Sequence, residues 1–288
     1  MEISGNMPNG ILASMRTKYH TLSSVQKVIA DYISTHISDV SLLPISELAA
    51  KCDTSETTVM RFLRKLDFDS YQVFRVKIAQ EIPHEHLESI YGEIDRGDAI
   101  ETLMEKVIAS TARSIQDLQQ MITSEDIKKA VALMKSARDV LFIGIGSSSF
   151  IALDAYHKFL RLGMRVTASA DSHLMSIMAS QTTDKDLVIA VSHSGESRDI
   201  LDCVKLAKKS NAGVIAFTSY RNSSITKYSD VVLLSSATET QYRSDALVSR
   251  ILQLVIIDIL YVAMVLEMGP EAVERINRSR LAVAGKKR

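Results

Sequence analysis

The sequence is short of several things, and each shortage removes a class of protein. Only two cysteines occur in 288 residues, Cys52 and Cys203, far apart and without a CxxC. That argues against a disulfide framework and against a cysteine-based zinc site, and a reducing cytoplasm is the expected compartment. Charge of one sign is not in excess either: 34 Lys+Arg balance 34 Asp+Glu, for a formal net charge of zero. Such a balance argues against indiscriminate coating of nucleic acid or membrane, yet leaves room for a local basic face. Met1 to Gly10 lacks an apolar signal core, so secretion is not expected. No GxxxxGK[ST] occurs, which deprives nucleotide hydrolysis of its phosphate loop. Internal repeats and low-complexity tracts are missing too. One apolar run, Ile251 to Met268, approaches the length of a membrane span, but Gln253, Asp258 and Glu267 interrupt it. A charge at the centre of a spanning helix costs about 2.5–3.5 kcal/mol, so this run is expected to be a buried or dimer-forming helix, with no membrane partner.

What is present suits packed cores. Hydrophobic residues make up 46% and charged residues 24%, and the length suggests two domains at about 150 residues each. The two halves read differently. Met1 to about Gln80 is helical in pattern throughout. From Val140 to Leu234, short apolar runs (Val140–Ile145, Arg165–Ala168, Leu187–Ser192, Val214–Thr218 and Val231–Leu234) alternate with helical stretches. That alternation implies parallel strands joined by crossover helices. Ile82 to Asp98, with Pro83, His84, His86, Gly92 and Gly97, punctuates the helical pattern and is the expected linker. A helix should follow, with Ile100, Leu103, Met104, Val107, Ile108, Ile115 and Leu118 in one apolar stripe, and another should begin near Ser124.

Within the helical half, Ile45 to Phe68 (ISELAAKCDTSETTVMRFLRKLDF) is the informative segment. A short helix, Ser46 to Lys51, brings Leu48 and the small Ala49 inward. Asp53, Thr54 and Ser55 form a turn, and Ser55 is a suitable N-cap for a second helix. That helix carries Val59, Phe62, Leu63 and Leu66 on one stripe and presents Glu56, Thr57, Thr58, Arg61, Arg64 and Lys65 on the other. A short helix, a tight turn and a second helix with polar residues at its start match a recognition helix entering the major groove of double-stranded DNA. Thr57, Thr58 and Arg61 would reach base edges, while Arg64 and Lys65 would favour phosphates. Arg75 and Lys77 extend the basic side. An ordinary solvated helix face is the bland alternative.

In the second half, Leu141–Ile145 runs into Gly146-Ser147-Ser148-Ser149, and Leu187–Val191 runs into Ser192-His193-Ser194-Gly195-Glu196-Ser197. Both loops sit at carboxyl ends of parallel strands, where open α/β sheets bind ligands, and both lead into helices whose N-termini attract anions. A phosphate held by Ser192, Ser194 and Ser197, with Ser147 and Ser148 completing the pocket, is the expected arrangement. Gly144-x-Gly146-x-x-Ser149, with Asp171 near the second strand, is a partial dinucleotide fingerprint that lacks its third glycine. Ser194 also fails the G-x-S-x-G nucleophile elbow, because Ser192 fills the first glycine position.

The GIGSSS loop, the SHSGES loop and the later YRSDALVSRILQL (Tyr242 to Leu254) together resemble a sugar isomerase (SIS) domain, and behind this helix-turn-helix the chain resembles the RpiR family of bacterial transcriptional regulators from about Met7 to Leu266. The resemblance implies an N-terminal all-α helix-turn-helix domain at 7–83 and a linker and connecting helix at 84–125. It implies an α/β SIS domain with a five-stranded parallel sheet flanked by helices at 126–270, then a C-terminal helix and tail at 271–288. In such domains Ser192, Ser194 and Ser197, with Gly195 in their loop, are expected to hold a sugar phosphate, with Ser148 assisting. Two departures stand out: Ser197 replaces a common Thr, and Glu196 replaces a common Arg, removing a positive charge near the phosphate. Asp171, His173, Glu239 and Arg243 are secondary candidates for sugar contacts, while His157 and residues such as Met175 and Met178 read as structural. The expected protein is a cytoplasmic regulator of carbohydrate metabolism, without cofactor, metal or catalytic residues, that binds operator DNA and a phosphorylated sugar effector. It would self-associate as a homodimer or homotetramer. The rival is a phosphosugar isomerase, for which Glu239, His173 or His193 could supply the base; a NAD-linked dehydrogenase is a third reading.

Overall fold

A computed structural model describes residues 10–81, 97–235 and 247–286. The described residues form two compact units, dividing between Ala109 and Ser110.

The first unit is helical: α1 (Ile11–Lys18), α2 (Ser24–Thr35), α3 (Ile37–Val40), α4 (Ile45–Lys51), α5 (Glu56–Lys65) and α6 (Tyr71–Ala79). Its core gathers Met15, Ile29, Ile33, Leu48, Phe62, Leu63 and Phe74 from five of these helices. Local chemistry sets the helix ends. Ser23 and Gln26 make a reciprocal capping box on α2, and Ser55 and Ser70 cap α5 and α6 by accepting from Thr58 N–H and Val73 N–H. The first turn of α1 is closed from a distance: the Glu81 carboxylate accepts from the Ile11 and Leu12 N–H groups. At the other ends, α4 and α5 stop in the same way. Asp53 (φ 48°) and Asp67 (φ 67°) take the left-handed conformation, so Thr54 N–H reaches the Ala49 carbonyl and Phe68 N–H the Leu63 carbonyl. These are Schellman ends built without glycine.

Helix α7 (Ile100–Met121) crosses the division between the units, and α8 (Ser124–Ser136) follows, capped by Thr123 rather than Ser124. Along α7 the expected apolar stripe divides. Leu118 is buried and Ile115 packs beside it, whereas Ile100, Met104 and Ile108 are exposed.

The second unit adds β1 (Val140–Gly144), α9 (Ser147–Leu160), β2 (Val166–Ser169), α10 (Ser172–Ser180), β3 (Leu187–Val191), α11 (Arg198–Lys209), β4 (Gly213–Thr218), a 3-10 segment at Ser224–Tyr228, β5 (Val231–Leu234), α12 (Leu247–Met268) and α13 (Pro270–Ala284). The five strands are all parallel, in the order β2-β1-β3-β4-β5. Every residue of β1 and β3 is buried, as expected of strands covered on both faces. Alternate side chains serve opposite layers. Phe142, Ile189, Ile215 and Phe217 pack with residues of α8, α9 and α12, while Leu141, Ile143, Val188, Ala190 and Val214 pack with α10 and α11. The helix at Val248–Met268 is long and apolar enough to cross a membrane by length and composition. It is used here as a layer of the fold, with Leu252, Ile256, Ile257 and Leu260 wholly buried against the sheet.

Candidate functional site

Strand order decides where the second unit can hold a ligand. From β1 the chain crosses to β2 on one side, then returns past β1 to β3 on the other. The crevice beyond the carboxyl ends of β1 and β3 is therefore the switch point at which such sheets bind ligands. Gly144, the last residue of β1, is in register with Val191, the last of β3. The GIGSSS and SHSGES loops consequently leave the sheet side by side.

Both loops are shaped by glycine. A Cβ on Gly144 would lie 2.6 Å from the Ser148 carbonyl oxygen, so only glycine lets the first turn of α9 fold back on β1. Gly195 has φ +65°, and a Cβ there would lie 2.2 Å from Ser223 Oγ. The second loop is braced on three sides. Ser192 N–H donates to the Phe217 carbonyl (2.9 Å), Ile225 N–H donates to the Gly195 carbonyl (3.1 Å), and Ser219 N–H donates to the His193 carbonyl (2.9 Å).

The candidate side chains fall into groups. Ser147 and Ser148 open α9, whose N-cap Gly146 provides no side-chain hydrogen bond. Ser197 is the N-cap of α11 and likewise makes no capping bond, in contrast to Ser23, Ser55 and Ser70. Two helix N-termini thus face the crevice with first-turn N–H groups that no capping side chain occupies, the arrangement that attracts an anion. Ser194 Oγ accepts from Glu196 N–H (3.2 Å), which keeps its own proton available for donation. Ser192 is 4% exposed, and its hydroxyl finds no partner among the described residues. Asp171 is committed elsewhere: its carboxylate caps α10 by accepting from Leu174 N–H at 2.8 Å. His173, in the first turn of α10, is exposed. Glu239 and Arg243 lie outside the described residues.

Glu196, at the position where the resemblance expects an Arg, has a structural partner of its own. Its Oε1 accepts from Ser224 N–H at 2.7 Å, so the carboxylate ties the loop to the start of the 3-10 segment. Sequence reasoning also missed Ser219, Ser223 and Thr218. These buried hydroxyls at the end of β4 support the loop from behind: Thr218 Oγ1 donates to the His193 carbonyl (3.2 Å), and Ser223 Oγ donates to the Tyr220 carbonyl (2.7 Å). A cluster of serine and threonine immediately after a strand was the signal that could have found them.

In the first unit, the turn 52–55 joins α4 to α5. Val59, Phe62, Leu63 and Leu66 are buried, while Thr57, Arg61, Arg64 and Lys65 are exposed and Glu56 and Thr58 are half-buried. Ser55 and Thr58 are linked through their hydroxyls (2.9 Å) as well as by the cap. Lys65 Nζ leans back to donate to the Thr21 carbonyl (3.1 Å), and Lys18 Nζ donates to the Lys65 carbonyl and to Asp67 (both 2.7 Å). Arg75 corrects an expectation. It does not extend the basic face, because its Nε and Nη2 donate to the Ser41 and Leu42 carbonyls (both 2.9 Å) and staple α6 to the end of α3.

Residues 9–85 match the helix-turn-helix domain of the rpiR family, and residues 133–263 match the SIS domain. An uncharacterized HTH-type transcriptional regulator from Thermotoga maritima is 36% identical over 275 residues, covering 95% of this chain and 98% of that one. The chain belongs to the RpiR family of transcriptional regulators. Among structures, the NanR protein of Vibrio vulnificus complexed with ManNAc-6P superposes on this RpiR-family chain with a TM-score of 0.84 at 25% identity, over 96% of this chain and 98% of that one. Some relatives carry a similar sequence within a longer protein: Bifunctional protein glk of Paraburkholderia xenovorans is 30% identical over 263 residues, which are 90% of this chain and 40% of that protein.

Proposed function

We propose that this RpiR-family regulator controls a pathway of carbohydrate metabolism by binding operator DNA through α5, and that a phosphorylated sugar held at the β1/β3 crevice modulates that binding. The observation that carries the effector half is the pairing of two hydroxyl-lined loops, each opening a helix without a side-chain cap, at the switch point of the sheet. A phosphate placed there would accept from Ser147, Ser148, Ser194 and Ser197 and from first-turn N–H groups. Bound ManNAc-6P in the related NanR structure supports the ligand class. Ser192, whose buried hydroxyl has no partner among the described residues, would join those serines. Asp171 would act through the start of α10 rather than by direct contact, and His173, Glu239 and Arg243 remain the candidates for sugar hydroxyls.

On the DNA side, Thr57 in the first turn and Arg61 one turn on project from the solvent face of α5 and would reach base edges, with Arg64 and Lys65 on phosphates. Ser55, Glu56 and Thr58 would shape the helix start. Regulation then requires that effector and operator favour different states of the chain, since a ligand with equal affinity for both states shifts nothing. Self-association as a dimer or tetramer would present paired recognition helices to half-sites about 10 bp, or a multiple, apart.

Thermal denaturation against a panel of hexose and N-acetylhexosamine phosphates tests the effector site. A true ligand at about 100 times its Kd stabilises by about 2.7 kcal/mol. No shift with any member of the panel overturns the reading, and measurable aldose–ketose turnover of a bound member would replace a sensor with an enzyme.

A further inference from the structure

Four side chains behind the second loop make a continuous hydrogen-bonded chain that the binding reading does not use. His193 lies between Ser192 and Ser194, and its Nδ1 is 2.8 Å from Ser219 Oγ. Ser219 Oγ is 3.3 Å from Ser235 Oγ, at the end of β5. Ser235 Oγ in turn accepts from Gln253 Nε2 on α12, at 3.1 Å. Ser235 and Gln253 are 0% and 2% exposed and Ser219 is 8% exposed, so water has little access to this path. The imidazole also meets the Tyr220 ring edge-on at 5.7 Å.

Such a chain has a direction. An amide nitrogen only donates, so Gln253 fills one of the two lone pairs of Ser235 Oγ, and the Ser235 proton is free to point at Ser219. The Ser219 proton then has two acceptors within reach, His193 Nδ1 at 2.8 Å and the Ser235 carbonyl at 3.5 Å, and the shorter contact favours Nδ1 as the acceptor. A neutral imidazole whose Nδ1 accepts carries its proton on Nε2. We propose that Gln253 on α12, acting through Ser235 and Ser219, holds His193 as the Nε2–H tautomer and thereby sets the ring and the serine loop for phosphosugar capture. His193 and Gln253 are positioning residues in this scheme, and the same chain joins the crevice to α12, which packs on one face of the sheet. The loop's role in capture rests on the function proposed above. The polarity of the chain does not.

The test uses the full-length protein labelled with 15N-histidine, with the His193 signals assigned by their loss in His193→Gln. The native chain should show Nε2 protonated and Nδ1 unprotonated. Gln253→Met removes the donor that orders the chain, and Ser235→Ala cuts it; either should move the 15N pattern toward a mixture of tautomers. An Nδ1-protonated native ring, or a pattern unmoved by both variants, overturns the proposal. Titration of N-acetylmannosamine 6-phosphate into the same proteins reads the positioning role. Loss of one ordered hydrogen bond should weaken binding about tenfold in Gln253→Met. Unchanged affinity would remove the positioning role. Failure of the native chain to bind any phosphosugar would count against the function proposed above and leave the tautomer result to decide the chain's polarity.

Discussion

Replacing Gly195 with alanine should damage the second loop more than any surface substitution of the same size. Two effects add. A left-handed φ of +65° costs an L-residue roughly 1–2 kcal/mol. In addition, the new methyl would lie 2.2 Å from Ser223 Oγ and 2.9 Å from Thr218 Oγ1, far inside contact distance. Neither neighbour can swing into solvent, because both are wholly buried and Ser223 is held by the Tyr220 carbonyl at 2.7 Å. Relieving the clash means breaking that bond or shifting the loop, at a further cost of about 1–3 kcal/mol. The sum is about 2–5 kcal/mol, which for a unit of this size lowers Tm by roughly 5–15 °C. Thermal unfolding followed by circular dichroism reads the stability, and phosphosugar titration below the new Tm reads the loop. Gly146→Ala separates strain from packing in the melting comparison, since its Cβ would meet nothing within 4 Å and its cost comes from the backbone alone, at φ 60° and ψ −131°. Should Gly195→Ala melt with the native protein and bind like it, the packing behind the loop has been misread.

Elsewhere, Asp53→Ala should destabilise the first unit by about 1 kcal/mol while Asp53→Gly does not, because the end of α4 needs a left-handed residue; chemical denaturation compares the two. Arg75→Met should cost about 2 kcal/mol by stranding the Ser41 and Leu42 carbonyls, yet leave the salt dependence of DNA binding unchanged in a titration at several ionic strengths. Asp186 is buried, which raises its pKa, but hydrogen bonds from Thr183 and the Arg138 guanidinium outweigh this and hold it below the usual carboxylate range. Its contribution is therefore present above the unfolded pKa, about 3.9, and lost as pH falls through the lower folded value. Urea midpoints measured from pH 6 down to pH 2.5 should fall less steeply in Asp186→Asn than in the native chain.

Much of this architecture was legible because its signals are periodic or positional. Five apolar runs separated by helical stretches gave the parallel sheet, with ends displaced by a residue or so, and Val59, Phe62, Leu63 and Leu66 marked the inward stripe of α5. The two loops were found because a strand that ends in glycine and serine announces its own exit. Side-chain commitments were harder to read. Arg75 looks like any exposed basic residue until the Ser41 and Leu42 carbonyls come within reach, and the capping of α10 by the Asp171 carboxylate shows only once the helix start is located. The same holds for Glu196, whose partner Ser224 is 28 residues away. Helical periodicity says which residues of α7 share a face, but not that, among the described residues, Ile115 and Leu118 are packed while Ile100, Met104 and Ile108 are exposed. Long-range partners have no signature in local pattern.

The central claim is that one chain links occupancy of the β1/β3 crevice to the hold of α5 on DNA. Fluorescence anisotropy of a labelled operator fragment, titrated with the protein in the presence and absence of N-acetylmannosamine 6-phosphate or whichever phosphosugar gives the largest thermal shift, measures that link directly. The operator Kd should change by about 5–150-fold with the sugar, a response lost in Ser194→Ala, while Arg61→Ala should weaken operator binding and relax base preference. An operator affinity that does not change when the crevice is saturated would contradict the claim.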